Sequence, residues 1–408
     1  MCIIVENLPV PFDRRVWQEA CALAEAGYRV SVICPKARGF EATRETLEGI
    51  EIYRHRLWEA SGPLGYLLEY AWALVAEFYL ALKVYARTRF RVLHACNPPD
   101  TIFLLGLFFK LFGVRFIFDH HDLNPELYEA KFGQRGFLYR VVCLAERLTF
   151  RTADVSIATN ESYRDVARTR GGMRPDRVFV VRSCPELNRI RRGLPRPELK
   201  RGQRFLVVYV GVMGPQDGLD LLLESIEWIV RHHEPPRASD QAPKSEILNR
   251  SSRRDDTLFV LIGGGTELPR LQALAAERGL DAWIKFTGRI PDDELAAYLS
   301  TADICVAPDP KNPMNDKSTM NKILEYMAYA RPVVLFDLTE GRRSAADAAL
   351  YARPNDPVDF AEQILKLLDS EPLRQQLGET GRKRIEESQN WEVEKKALVD
   401  AYRAALTW

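Results

Sequence analysis

Phe205-Leu206-Val207-Val208-Tyr209-Val210-Gly211-Val212-Met213-Gly214-Pro215-Gln216-Asp217-Gly218 is an apolar run that breaks into a glycine-bearing turn, with helix-period sequence from Leu219 onward. A strand feeding a helix through such a turn is the building unit of parallel α/β domains. The turn lies at the strand's C-terminal edge, where backbone N–H groups and a helix N-terminus favour a phosphate. The same glycines also suit a tight turn that needs only φ > 0, so Gly211, Val212 and Gly214 are phosphate-site candidates with a purely conformational alternative. Leu261-Ile262-Gly263-Gly264-Gly265-Thr266-Glu267 repeats the device. Repetition favours a nucleotide near Gly263 and Gly264, although three glycines can again be turn chemistry.

The stretch Asn315 to Pro332 carries the richest pattern. Ser318 or Thr319 reads as the N-cap of a helix from Met320 to Ala330, which stops before Pro332 and feeds an apolar strand. At helical spacing Met320, Ile323, Leu324 and Met327 share an inward face, while Ser318, Asn321, Lys322 and Glu325 share another. The helix start and Lys322 offer amides and a cation to a diphosphate, and Glu325 is placed to accept hydrogen bonds from sugar hydroxyls. The alternative is a solvated helix face with an i,i+3 Lys/Glu pair.

Working outward, short apolar runs alternate with helix-period segments along the whole chain. In the N-terminal half they are Cys2-Val5, Arg29-Ile33, Ile50-His55, Val92-Ala95, Arg115-Asp119, Val155-Ala158 and Val178-Val181. The fold class expected is α/β, two doubly wound Rossmann-like domains facing a cleft. The N-terminal domain covers 1–187. A proline- and arginine-rich linker covers 188–204, and a second domain covers 205–385 with a mobile insertion at 234–256. A C-terminal helix, 386–408, is expected to pack back on the first domain. With 408 residues, at roughly 100 to 200 per domain, a single small module is excluded. The 57 Lys+Arg against 56 Asp+Glu leave no global basic field, so nucleic acid is not expected as a partner.

The 7 cysteines form no CxxC and read as reduced thiols; no metal site and no cofactor are expected. The N-terminus lacks a basic segment followed by an apolar one, which reads as cytoplasmic. Two greasy stretches, Leu64 to Tyr85 and Ile102 to Phe112, are interrupted or too short to span a bilayer and read first as core helices. Flanking arginines keep open a peripheral contact with the inner membrane, at its cytoplasmic face.

At the Asn315–Pro332 helix the chain resembles the donor domain of the GT-B glycosyltransferases, most closely family 4, whose members are retaining and use nucleotide sugars. The likeness extends over nearly the whole chain. It rests on Val210-Gly211, Gly263-Gly264-Gly265-Thr266-Glu267-Leu268, Phe286-Thr287-Gly288-Arg289-Ile290-Pro291, Ala302-Asp303-Ile304 and Lys322-Ile323-Leu324-Glu325-Tyr326-Met327-Ala328. The resemblance implies that Arg289 and Ile290 lie beside the nucleobase. It also implies that Glu325, the second glutamate of an E-x7-E motif, contacts the ribose. Where the motif's first glutamate would stand, this chain has Lys317. Where members carry an Arg and a Lys that neutralise the diphosphate, it has Val212, then Gln216 and Asp217. Lys322, Lys317, Arg289 and Arg182 are the cations left to replace them.

In the first half the resemblance is to members whose first βα loop runs Glu6-Asn7-Leu8-Pro9-Val10-Pro11-Phe12-Asp13-Arg14-Arg15. Asn7, Arg14 and Arg15 are therefore candidates for the acceptor or the phosphate. Phe118-Asp119-His120-His121-Asp122 matches the family's His-Asp segment, with His121 and Asp122 as the catalytic candidates. Asn97 is placed in a neighbouring loop, and Asn160 and Arg182 near the hinge. What this implies is transfer from a nucleotide sugar, most commonly UDP-linked, to a glycan or polyprenyl-linked acceptor in cell-surface polysaccharide assembly. The absence of an Asp-x-Asp motif points to metal-independent chemistry. The alternatives are a non-catalytic nucleotide-sugar-binding subunit and a sugar-nucleotide epimerase.

Overall fold

The computed structural model describes residues 1–57, 63–133, 135–190, 192–231 and 256–407. The insertion expected at 234–256 lies outside them except for Asp256. The chain divides into two compact units, Met1–Ser183 with Glu392–Trp408, and Cys184–Trp391.

In the first unit the strands are β1 Cys2–Ile4, β2 Ser31–Pro35, β3 Arg44–Leu47, β4 Ile50–His55, β5 Val92–Cys96, β6 Arg115–His120, β7 Val155–Ala158 and β8 Val178–Val180. They form a sheet in the order β3-β4-β2-β1-β5-β6-β7-β8, parallel except for β3 against β4. The sequence reading did not foresee β3. Its residues Arg44-Glu45-Thr46-Leu47 alternate only between exposed and half-buried, and its turn needs φ of 49° at Glu48 and 79° at Gly49. Glutamate is a poor signal for the first of those positions, so the hairpin has little local signature. Asp13 caps the helix Arg14–Glu25, its Oδ1 accepting the Val16 N–H at 3.0 Å. The C-terminal helix Trp391–Leu406 belongs to this unit, where the Tyr402 hydroxyl lies 2.6 Å from His94 Nδ1 and Arg177 Nη1 donates to the Ala404 carbonyl at 2.7 Å.

The second unit holds β9 Phe205–Val210, β10 Thr257–Ile262, β11 Ile284–Gly288, β12 Ile304–Ala307, β13 Val333–Phe336 and β14 Ala349–Ala352, all parallel, in the order β11-β10-β9-β12-β13-β14. Alternate residues enter opposite cores. Val207, Tyr209, Phe259 and Leu261 face one helix layer, and Leu206, Val208, Leu258 and Val260 the other. Burial on both faces explains why these strands read as continuous apolar runs. Residues 192–204 pack within this unit: Gly193 N–H donates to Ser300 Oγ at 3.0 Å and Lys200 Nζ pairs with Asp303 at 2.7 Å.

Glu77, on the helix Pro63–Thr88, is fully buried and both its oxygens lack a hydrogen-bond partner. Burial pushes its pKa up to about 8. The folded state therefore keeps a proton that the unfolded chain has already released, and stability falls as pH rises from the ordinary carboxyl range to about 8. Glu77→Gln cannot titrate. Between about pH 5 and about pH 8.5 its stability relative to the parent should improve by on the order of 2–4 kcal/mol, read from melting curves at both pH values. A difference that stays constant over that range would mean that Glu77 is ionised in the fold.

Candidate functional site

In the second unit β9 comes first in the chain and is flanked by β10 and β12. Outside the C-terminal ends of the strands at such a reversal, open α/β sheets take their ligands. Two glycine loops interlock there. Gly211 N–H donates to Ile262 O at 3.0 Å, Met213 N–H to Gly264 O at 2.9 Å, Glu267 N–H to Met213 O at 3.0 Å and Gly263 N–H to Gly288 O at 2.9 Å. A Cβ on Gly263 would stand 1.8 Å from Gly211 O, and one on Gly265 2.4 Å from Met213 O, at φ of +135° and +159°. Close backbone approach is thus what requires glycine at these two positions. The Gly214 amide is engaged by Asp217 Oδ2 at 2.9 Å. In this loop pair the amides of Val212, Gly264, Gly265 and Thr266 are among those that no other group of the described residues engages, which leaves them for an anion.

The helix on the other side of the reversal runs Asn321–Ala328, after a 3-10 turn Asn315–Lys317 and an extended Ser318–Met320. Met320 stands at the N-cap and no side chain caps the helix. The cap expected from Ser318 or Thr319 is therefore corrected: Ser318 Oγ donates to Met314 O at 2.8 Å, closing the preceding turn instead. Ile323, Leu324 and Met327 are buried as the spacing required, with Met320 half-buried.

Lys322 is held by its surroundings. Its Nζ lies 2.8 Å from Asp309 Oδ1, 3.8 Å from Asp217 Oδ1 and 4.8 Å from the centre of the Tyr209 ring. Burial alone would lower its pKa, but Asp309, Tyr209 and Asp217 together outweigh that and raise it, so the ammonium stays charged. Asp309 Oδ2 is buried with no hydrogen-bond partner. The cation on the polar face is thus already balanced by two carboxylates, a pairing the sequence reading did not include. Glu325 follows it by one turn and is half-buried; Lys317, Ser318 and Thr319 are half-buried, and Asn321 and Arg289 exposed, with Ile290 half-buried at the end of β11.

In the first unit the reversal lies at β1, between β2 and β5. The group gathered on one face of the sheet centres on Asp119, fully buried on β6. Arg15 Nη2 lies 2.9 Å from Asp119 Oδ1 and 3.0 Å from Glu19 Oε1, and Nη1 donates to Val181 O at 2.8 Å. Arg15 is therefore an internal tie rather than a solvent-facing anion binder. His121 Nε2 approaches Asp119 Oδ2 at 2.6 Å and Arg15 Nε at 3.0 Å. Burial would raise the Asp119 pKa, but Arg15 and then His121 hold it well below the usual carboxylate range. The shorter contact, to an ionised Asp119, favours a proton on His121 Nε2 and a lone pair on Nδ1 in the neutral ring, while the Arg15 Nε–H is directed at the same Nε2. Asn97 orders the loop: its Oδ1 accepts the His121 N–H at 2.7 Å and the Asp122 N–H at 3.1 Å.

The neighbouring His120 points to the opposite face. It is fully buried among Phe118, Phe150 and Tyr163, and burial, then Arg170, takes its pKa down to about 3. Asn160 caps the helix Glu161–Thr169 through the Tyr163 N–H at 2.9 Å. Arg182 is bound by Glu394 at 3.1 Å and by Glu161. Asn7 and Arg14 are exposed. Asp119 went unmarked in the sequence reading, although it directly precedes the His-His-Asp run.

His94, Cys96 and Asp119 place one ligand atom each within 4.8 Å of one another. They fit a metal poorly: burial raises the Cys96 thiol pKa well above its ordinary value, His94 is bonded at both ring nitrogens, and the Arg15 guanidinium occupies Asp119.

Two Rossmann-like units in one chain, each with its polar group at a strand-order reversal, define the class of GT-B proteins. Residues 13–184 match the family described as glycosyl transferase 4-like domain, and residues 204–370 the family described as glycosyl transferases group 1. The two matches span most of the chain, and it belongs to the GT-B glycosyltransferases of this family-4-like kind. It is 26% identical over 283 residues to a D-inositol 3-phosphate glycosyltransferase of Thermomonospora curvata, covering 65% of this chain and 58% of that protein. The chain spans about half the length of the first of the curated relatives that it matches. Among solved structures it is similar to a sucrose-phosphate synthase from Thermosynechococcus elongatus (TM-score 0.76, 20% identity, 98% of both chains). It is also similar to Anabaena HepE in complex with UDP-glucose (TM-score 0.69, 14% identity, 99% of both chains).

Proposed function

We propose that the protein is a retaining glycosyltransferase that moves a hexosyl or N-acetylhexosaminyl group from a UDP-sugar to a glycan or lipid-linked acceptor, without a metal ion, in cell-surface polysaccharide biosynthesis. The observation that carries this reading is the arrangement at the β9/β12 reversal. Loop amides of Val212, Gly264 and Gly265 and the ammonium of Lys322 lie beyond the C-terminal ends of neighbouring strands, with Glu325 one turn further along the Lys322 helix. Sugar transfer drives negative charge onto the departing diphosphate, and fixed donors aimed at that charge are the main device by which such a site lowers the barrier. An ammonium has three N–H donors; Asp309 takes one at 2.8 Å and the Tyr209 hydroxyl a second at 3.5 Å, which orients Lys322 without saturating it. The name of the HepE complex, which contains UDP-glucose, supports a UDP-linked donor.

The test is release of UDP from a panel of UDP-sugars, with and without EDTA, followed by NMR of the product's anomeric carbon. Turnover that survives chelation and keeps the donor's anomeric configuration is expected. Loss in EDTA that Mn²⁺ or Mg²⁺ restores would remove the metal-independent part, and inversion the retaining part. One observation favours a second reading, a nucleotide-sugar-binding subunit without turnover: Val212 and Asp217 stand where a cationic clamp is usual, and Lys322 is balanced by carboxylates. A thermal shift with UDP and no UDP release from any donor would select it.

A further inference from the structure

Three helices, Pro63–Thr88, Phe103–Lys110 and Phe137–Thr152, cover one face of the first unit's sheet. Their inward residues Leu80, Val84, Leu105, Phe109 and Phe150 share a single core with strand residues such as Phe116. The outward faces of a helix layer that ends at water are ordinarily polar. Here they are apolar. On the first helix Trp72, Val75, Tyr79 and Leu82 recur at helical spacing and are 37–64% exposed. Along and just beyond the second, Leu104, Leu107 and Leu111 are 47%, 50% and 81% exposed. On the third, Phe137, Val141 and Leu144 follow i, i+4, i+7 at 43–78%. Ring pairs Phe78–Phe108 at 4.8 Å and Tyr85–Phe112 at 5.8 Å join the first helix to the second, and the second touches the third, so the patch is continuous. The second unit, similar in length, exposes only Leu194, Val212 and Val358 among its described large apolar side chains.

The charges on this face are of one sign. Lys83, Arg87, Arg140, Arg147 and Arg151 are exposed on the first and third helices, whereas Glu77 and Glu146 are turned into the core and Glu69 is half-buried. An apolar field this broad on a soluble surface marks a docking site. A rim of cations without exposed carboxylates complements anionic headgroups, whose phosphates the arginines meet while the aromatic and aliphatic side chains enter the acyl boundary. A second copy of the chain is a poorer match, because a two-fold contact brings arginine against arginine. Among the described residues no helix is long and apolar enough to cross a membrane.

We propose that this three-helix face docks the first unit onto an anionic lipid bilayer. The proposal goes beyond the sugar-transfer reading and does not depend on it, since it involves no residue of either polar group. Flotation of the full chain with vesicles of phosphatidylcholine containing about one-third phosphatidylglycerol should carry the protein with the lipid, and added salt should weaken the association. Leu107→Glu/Val141→Glu is expected to lower the vesicle-bound fraction at least about tenfold. Arg140→Ala/Arg147→Ala should weaken binding to the anionic vesicles and leave binding to pure phosphatidylcholine unchanged. These side chains face solvent, so circular dichroism and the melting response to UDP should match the parent, which keeps loss of docking apart from unfolding and from any failure of the donor reading. Protein left in the lipid-free fraction, or binding indifferent to the two glutamates, overturns the proposal. So does a concentration-dependent dimer in sedimentation that the same glutamates abolish.

Discussion

Lys322→Met is expected to destabilise the second unit by about 3–5 kcal/mol and to abolish stabilisation by UDP. The first effect follows from what the ammonium holds apart. Asp309 is 3% exposed, one of its oxygens has no hydrogen-bond partner, and Asp217 lies 3.8 Å from the same Nζ. Removing the cation leaves two carboxylates facing each other in a site that water barely reaches, a far greater penalty than the loss of an exposed ion pair. At roughly 2–4 °C per kcal/mol for a unit of this size, the melting temperature should fall by on the order of 10 °C. Lys322→Met/Asp309→Asn removes one charge of each sign and should recover most of the loss. The double variant should still not respond to UDP, because the cation facing the diphosphate is gone. Asp309→Asn alone separates the two roles of the lysine: the ammonium loses its orienting partner but keeps its charge, so UDP should still raise the melting temperature. If Lys322→Met melts like the parent, the buried pair is not the structural element described. If it melts lower yet responds to UDP as the parent does, the donor diphosphate lies elsewhere.

The same residue shows where reading the chain stops. Strand runs such as Phe205–Val210 and Val155–Ala158 were legible because burial on both faces of a parallel sheet demands continuous apolar sequence, and their bounds agree with the structure. The inward face of the Asn321–Ala328 helix was legible for the same reason, period against core. What surrounds a polar residue is set by topology instead. Asp217 and Asp309 lie in the loops that follow β9 and β12, neighbours in the sheet although helices and strands separate them in the chain, so no local pattern announces that both converge on Lys322. Arg15 is the parallel case. From sequence it is a helix-start cation suited to an anion; in the fold its partner Asp119 comes from β6, and the pair closes the interior of the first unit. The glycines at 263 and 265 had two readings in the sequence, and only the 1.8 Å and 2.4 Å approaches to the facing loop show that backbone packing demands them. The apolar helices read as core because hydrophobicity does not say which way a side chain points, and Trp72, Val75 and Tyr79 point outward.

His121→Ala and Asp119→Asn are expected to lower kcat by about 10²–10⁴ while leaving the response to UDP intact, if His121 exchanges a proton or hydrogen bond with the reacting sugar, the role the resemblance implies for it. The two variants act differently on the same ring. His121→Ala removes the imidazole and leaves the Arg15–Asp119 pair, at 2.9 Å, undisturbed, so the fold should hold. Asp119→Asn keeps the ring but replaces a fixed acceptor 2.6 Å from Nε2 with an amide that can donate there, which favours the tautomer carrying its proton on Nδ1. A ring in the wrong tautomer presents an N–H where a lone pair was, so kcat should fall with little change in KM for the donor. The acid dependence of stability gives an independent check on the carboxylate. Asp119 is held well below the ordinary carboxyl range in the folded chain, so its contribution is present above that range and is lost as pH falls through the folded value. Asp119→Asn should therefore lose less stability on acidification than the parent does. Wild-type kcat in both variants would place His121 outside the reaction. A drop in Asp119→Asn alone, with His121→Ala unaffected, would assign the carboxylate to holding Arg15 and the end of β8 rather than to orienting a catalytic ring.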